Sequence, residues 1–470
     1  MKLKNILHHV LMIVILSSLG LNACKKFVTI PPAPNLINST QVFADSTDAN
    51  SAVLGMYINM ASSSYTPYNS EIVIYTGLSS DELSTTNSYV SADQSAMYAN
   101  AIEPLNGSIY GLYASFYESY IYPANAIIEG LTASKTVSVA AKNQFIGEAK
   151  VVRAMAYFDL INLFGSVPLV TTTNFKVSES IPRTPVSTVY DQITSDLKDA
   201  QTLLSVNYPT SGRERPNRYT ATALLAKVYL YQKDWVDAAI QASSVINCGL
   251  YSLESNLNSV FLAGSNEAIW QLQPSQAGYE TGMGSSFVPY SNAVVPNYVL
   301  SNYLLSAFEA GDQRKSNWTN SNTISGVTYY YPYKYKLAYD GNTTPVENIM
   351  ICRLAEQYLI RAEAVAEGAP GSAIADLNIV RERAGLPPYA GATDPTSILT
   401  AIIHENQVEF FTEGHRWYDL KRTNVVNSVM GTPGNVCQAK GGVWNPNWAL
   451  YPIPMDEIQS NPSLTQNPGY

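Results

Sequence analysis

The chain has 470 residues, a formal net charge of −9, only 14% charged residues and 33 tyrosines. A chain of this length buries a substantial core in one large or two intimate domains, and an acidic balance without any basic run argues against nucleic acid and anionic lipid as partners. Much tyrosine with little charge suits neutral, ring-shaped ligands, because a phenol offers an apolar face and a hydroxyl together, although exported proteins are often tyrosine-rich for other reasons.

Lys2 and Lys4 precede an apolar span from Ile6 to Leu21. The span is too short to sit comfortably across a bilayer and reads as a secretory leader over residues 1–23. Leu21-Asn22-Ala23-Cys24 resembles a lipobox, which would place a lipid on the Cys24 thiol and hold the chain at a membrane. Residues 24–38 are Pro-rich and unpatterned, the composition of a tether. No later run is apolar enough to span a membrane.

Beyond the tether, apolar spacing predicts helices over 48–60, 107–131 and 140–164. The last of these has little polar surface and must be buried on most sides; Gly165 and Pro168 end it. A helix over 186–204 follows. The segment 219–246 reads as a helical pair broken at Gln232-Lys233-Asp234, with Ala226 and Ala238 small enough for close approach. The phrase Ala-x2-Tyr-(Leu/Phe) recurs near 154, 226 and 355, which favours stacked helical hairpins interrupted by insertions.

Ala268–Leu272 reads as a short strand, and 262–345 is otherwise irregular and aromatic, the signature of a functional loop region. Helices return over 351–367, 371–384 and 397–412. Cys248, Cys352 and Cys437 are odd in number and widely spaced, which favours buried thiols over a disulfide framework or a zinc site.

Glu405, Glu409 and Glu413 lie at i, i+4 and i+8 on one helix face. A glycoside hydrolase needs two carboxylates on opposite walls of a cleft, about 5 to 9.5 Å apart depending on mechanism. Carboxylates on one face suit ion pairs with arginines such as Arg353, Arg361, Arg381 and Arg422 instead. His404 and His415 are the two histidines beyond the leader, too few for imidazole-based metal or triad chemistry, and no phosphate-loop motif occurs. No catalytic or metal residue is assigned. No loop signature supports calcium bridging of sugar hydroxyls.

Several phrases together resemble the SusD/RagB-like family of Bacteroidetes outer-membrane nutrient-uptake lipoproteins. They are Glu148-Ala149-x3-Arg153-Ala154-x2-Tyr157-Phe158, Leu163-Phe164-Gly165-x-Val167-Pro168, Arg353-Leu354-Ala355-Glu356-x-Tyr358, Glu413-Gly414-His415-Arg416-Trp417-Tyr418-Asp419 and the ending Gln466-Asn467-Pro468-Gly469-Tyr470. The resemblance runs from Cys24 to the C-terminus. It implies a mainly α fold, a tetratricopeptide-like superhelix of hairpins with loop-rich insertions and a few short strands, divided into an N-terminal region over 39–261 and a C-terminal region over 262–470 of one intertwined body. It further implies a non-enzymatic glycan-binding lipoprotein serving a TonB-dependent, SusC-like outer-membrane barrel, with peptide capture as the alternative. Ligand contacts are expected in the loop after Asp81-Glu82 and in the 275–340 region. The candidates are Tyr65, Tyr68, Asn87, Tyr89, Tyr279, Phe287, Tyr290 and Trp318, where rings can stack on sugar faces beside amide partners. Trp235, Trp270 and Trp417 read as scaffold.

Overall fold

The computed structural model describes residues 39–62, 66–86, 90–276, 278–339, 341 and 344–470. The leader, Cys24 and the tether lie outside the described residues, as do the candidates Tyr65, Asn87 and Tyr89. Ser39–Val42 form one helical turn, and Phe43–Tyr470 form one compact unit.

Helix α1 (Ser46–Ala61) begins at Asp45, whose carboxylate accepts from the N–H groups of Thr47 and Asp48 and so satisfies two otherwise orphaned donors. Val53, Met56, Tyr57 and Met60 form its buried face. The predicted helix over 107–131 divides into α2 (Gly107–Ser115), a π-helical turn at Phe116–Ile121, and α3 (Tyr122–Ala133). Pro123 has no N–H to continue the ladder, and a wider turn accommodates that gap.

Helix α4 (Val139–Phe164) is buried around its whole circumference from Val151 to Ile161. Its charged members are paired: Glu148 accepts two bonds from Arg215 at 2.8 and 2.9 Å, and Arg153 is bidentate to Asp196 at 2.7 and 2.8 Å. Gly165 ends it at φ +73°, donating its N–H to Ile161. Then follow α5 (Val186–Leu203), α6 (Arg218–Gln232) and α7 (Trp235–Ile246). The C-terminal half supplies α8 (Leu354–Ala366), α9 (Ala373–Arg383), α10 (Pro395–Glu409) and α11 (Arg416–Arg422).

Consecutive helices from α3 to α9 pack on one another, and α10 closes on α8 and α9. This is the expected stack of hairpins. Fully buried Ala226, Ala238, Ala242, Ala355 and Ala362 line the close approaches.

Strands are few. Here β1 (Leu83–Thr85) pairs antiparallel with β3 (Tyr298–Leu300), β2 (Ala268–Leu272) with β6 (Ile349–Arg353), and β4 (Thr319–Ile324) with β5 (Val327–Pro332). The helix predicted from residue 351 starts at Leu354, because Ile349–Arg353 complete the ladder with β2.

The acidic face of α10 lies in a buried ion-pair network. Arg314, with no exposed surface, binds Asp312, Glu405 and Glu409. Arg353 binds Glu267, Glu409 and Glu413; Arg383 reaches Glu267 and Glu409; Arg381 reaches Glu405 and Glu309. These cations hold Glu409 and Glu413 below the usual carboxylate range despite burial. Arg361 and Arg422, expected on the same carboxylates, pair instead with Asp376 and with Glu363 and Asp419. Burial holds the His415 imidazole neutral well below its ordinary pKa, and it stacks on Phe410 at 4.7 Å. The three cysteines are free thiols.

Candidate ligand-binding face

Two β-structured projections rise from this network. The β4–β5 hairpin turns through Ser325-Gly326, both at positive φ, the backbone a two-residue hairpin loop requires. Asn322 of β4 donates to the carbonyls of Ser291 (3.0 Å) and Val294 (2.6 Å), tying the Tyr290 loop to the hairpin. Lys334, just past β5, is buried. Its ammonium donates to the Glu409 carbonyl at 2.7 Å and lies 4.3 Å from the Phe411 ring centre and 4.7 Å from that of Trp318. Burial lowers its pKa to about 8.

The second projection is a finger formed where Tyr279 bridges antiparallel to Tyr339. The Gly341 N–H donates to Gly278 and the Glu280 N–H to Ala338. Two buried carboxylates brace its base. Glu280 accepts from the N–H groups of Val346 and Glu347, and Glu347 accepts from those of Lys336 and Leu337. Burial raises Glu347 to about 7, partly offset by the two N–H donors. Gly278 turns the chain at φ +81°, where a Cβ would stand 3.0 Å from the Tyr339 ring.

On this finger the Tyr279 and Tyr339 rings meet edge to face, centroids 5.2 Å apart and planes at 67°. They are 41% and 64% exposed. A groove of about 490 Å³ opens at the finger's foot between α1, the 210–215 segment and residues 272–276.

The candidate residues therefore separate. Tyr279 is on the finger, and Tyr290 is 91% exposed on its own loop. Trp318 is fully buried, its indole N–H donating to Leu257 at 2.9 Å and its ring against Phe261 and Phe411. It has no face to offer a ligand. Phe287 is buried against Tyr298, with centroids 5.9 Å apart. Tyr68, half-buried, packs on Tyr120 and Phe116 and lines a cavity of about 100 Å³ together with Asp159. These three belong to the scaffold. Trp270 and Trp417 are buried as expected, whereas Trp235 borders a shallow pocket at the turn between α6 and α7. The groove residues Gln273, Gln276, Thr210 and Glu214 escaped sequence reading, since their neighbourhood is set by long-range contacts. The glycines Gly278 and Gly341 beside the two tyrosines were the available signal for the finger.

Stacked helical hairpins bearing an aromatic loop face define a helical-repeat architecture. Comparison with known proteins specifies which kind. Residues 266–470 match the family model described as the SusD family, and residues 38–230 match one described as starch-binding, associating with the outer membrane. The SusD-like protein P2 of Formosa agariphila is 30% identical over 70% of this chain and 74% of its own. A solved laminarin-binding SusD-like protein is 25% identical with a TM-score of 0.75, covering 90% of this chain and 99% of its own. Surface glycan-binding protein A from Bacteroides thetaiotaomicron, solved with laminarihexaose, shares the fold at 20% identity and a TM-score of 0.76, again over 90% and 99%. The chain belongs to the SusD family.

Proposed function

We propose that this protein captures an oligosaccharide at the outer face of the outer membrane, where a lipid on Cys24 anchors it, and delivers the ligand to a TonB-dependent, SusC-like barrel. The observation that carries the reading is the exposed Tyr279–Tyr339 pair on a finger braced by Glu280 and Glu347. A sugar laid on either phenol covers its apolar C–H face, and amide groups nearby meet its hydroxyls. The family membership and the glycan-binding names of its relatives support the same reading. Capture rather than cleavage fits the carboxylates of α10, which serve buried arginines.

Isothermal titration of the chain beginning at Lys25 against laminarin and starch oligosaccharides tests this. Binding to at least one is expected, with Tyr279→Ala and Tyr339→Ala each weakening it about tenfold, or about 1.4 kcal/mol, at unchanged melting temperature. Heat with peptides and none with any glycan would replace the reading by peptide capture.

A further inference from the structure

The stretches that build the finger and its groove are poor in usable positive charge. From Phe27 to Ser134 the chain contains no lysine or arginine, and α1 lies within that span. Leu54 and Ile58 of α1, 40% and 51% exposed, form an apolar wall of the groove, faced by Thr210, Glu214, Gln273 and Gln276. The groove continues from the finger, since Gln276 accepts from the Tyr279 N–H at 3.1 Å.

The cations around it are engaged elsewhere. Arg215 is bound to Glu148 and to Asn50 at 2.9 Å. Arg213 faces the carbonyls of Leu250, Ser265, Asn266 and Ala268. In the loop region Arg314 and Lys334 are buried in the ion-pair network, Lys315 donates to Leu305, and Lys336 donates to Asn258 and Asn317. Glu214, by contrast, has no cationic partner among the described residues, and its carboxylate accepts from the Thr210 hydroxyl at 3.3 Å.

We infer that the groove extends the tyrosine finger as a second contact for the same sugar chain and selects uncharged glycans, rejecting sulfated or carboxylated ones. This rests on the glycan reading above. An apolar wall with an amide rim matches a sugar's alternation of C–H faces and hydroxyls. A sulfate or carboxylate brought into the groove loses water, finds the guanidinium of the lining residue Arg215 already paired with Glu148 and that of Arg213 occupied by backbone carbonyls away from the lining, and meets the negative charge of Glu214.

The test is titration with laminarin and with the same laminarin after chemical sulfation. The neutral polymer is expected to bind at least tenfold more tightly. Glu214→Lys and, separately, Gln276→Lys supply the missing cation, and each is expected to narrow that gap at least threefold; Gln276 is exposed, so its variant does not depend on refolding a packed site. Sulfated laminarin bound by the unaltered chain as tightly as the neutral form overturns the charge selection while leaving glycan capture standing. A gap unchanged in both variants overturns the groove as its location. Failure of every neutral glycan to bind removes the capture reading itself, and this inference with it.

Discussion

Trp318 stands between Asn317 and Thr319 in a run of asparagine, serine and threonine, the setting of a solvent-facing loop. Its indole is nevertheless enclosed, because Leu257, Phe261, Lys334 and Phe411 converge on it from distant parts of the chain. That convergence cannot be read from local composition. Tyr279 was legible because a glycine precedes it in an aromatic loop, whereas Tyr68 in a similar polar loop folds inward onto Tyr120. Removal of the Trp318 side chain separates packing from binding. Trp318→Ala is expected to cost about 3 to 5 kcal/mol of stability, seen as a lower melting temperature in calorimetry. Glycan affinity measured well below the new midpoint should change less than threefold, and a tenfold loss there would return Trp318 to the ligand face.

At the scale of elements, helices were legible wherever one apolar period ran through them. The helices predicted over 186–204 and 397–412 show this, found at Val186–Leu203 and Pro395–Glu409, the second ending before residue 412, as do the small alanines of the α6–α7 pair. The β4–β5 hairpin was not, because Tyr329-Tyr330-Tyr331 does not alternate in polarity and its turn signal is the single pair Ser325-Gly326. Beyond its glycines, the pairing that makes the finger was not legible for a related reason: its two sides are sixty residues apart in sequence, and buried Glu280 and Glu347, not an apolar face, hold it to the body. An element held mainly by hydrogen bonds can be disturbed without unfolding the scaffold. Gly278→Val puts a branched side chain at a left-handed backbone position and against the Tyr339 ring. Glycan binding should fall at least tenfold in titration, while the melting temperature of the helical body moves by no more than about 2 °C. A large fall in melting temperature with binding intact would show that the finger supports the fold rather than the ligand.

Across the whole molecule, the buried charges make stability depend on pH in a direction opposite to that of many proteins. Burial raises Glu71 and Glu347 to about 7, Asp159 to about 6 and Glu82 to about 8. Each therefore keeps its proton in the folded chain while the unfolded chain has already lost it above about pH 4.5. Between pH 5 and 6 the folded state binds more protons at these sites, so their contribution falls as pH rises, by about 1.4 kcal/mol per pH unit for each net proton. His415 opposes them, because its lowered pKa leaves the folded state with fewer protons below pH 6.5, but it is one group against four. The depressed carboxylates Glu409 and Glu413 favour the folded state until the pH falls below about 4.5, so they set the acid limit rather than this slope. Lys421 and Lys440, lowered to about 7 by burial, act on the other side: above pH 7 the unfolded chain retains protons that the folded chain has released, and stability recovers. Calorimetry in matched ionic strength should thus show a higher melting temperature at pH 5 than at pH 7, and Glu82→Gln, which fixes the neutral form, should reduce that difference. A melting temperature that rises steadily from pH 5 to 7 would mean that these carboxyls ionise in the folded chain at ordinary pH, and the buried sites would have to be wetter than their packing indicates.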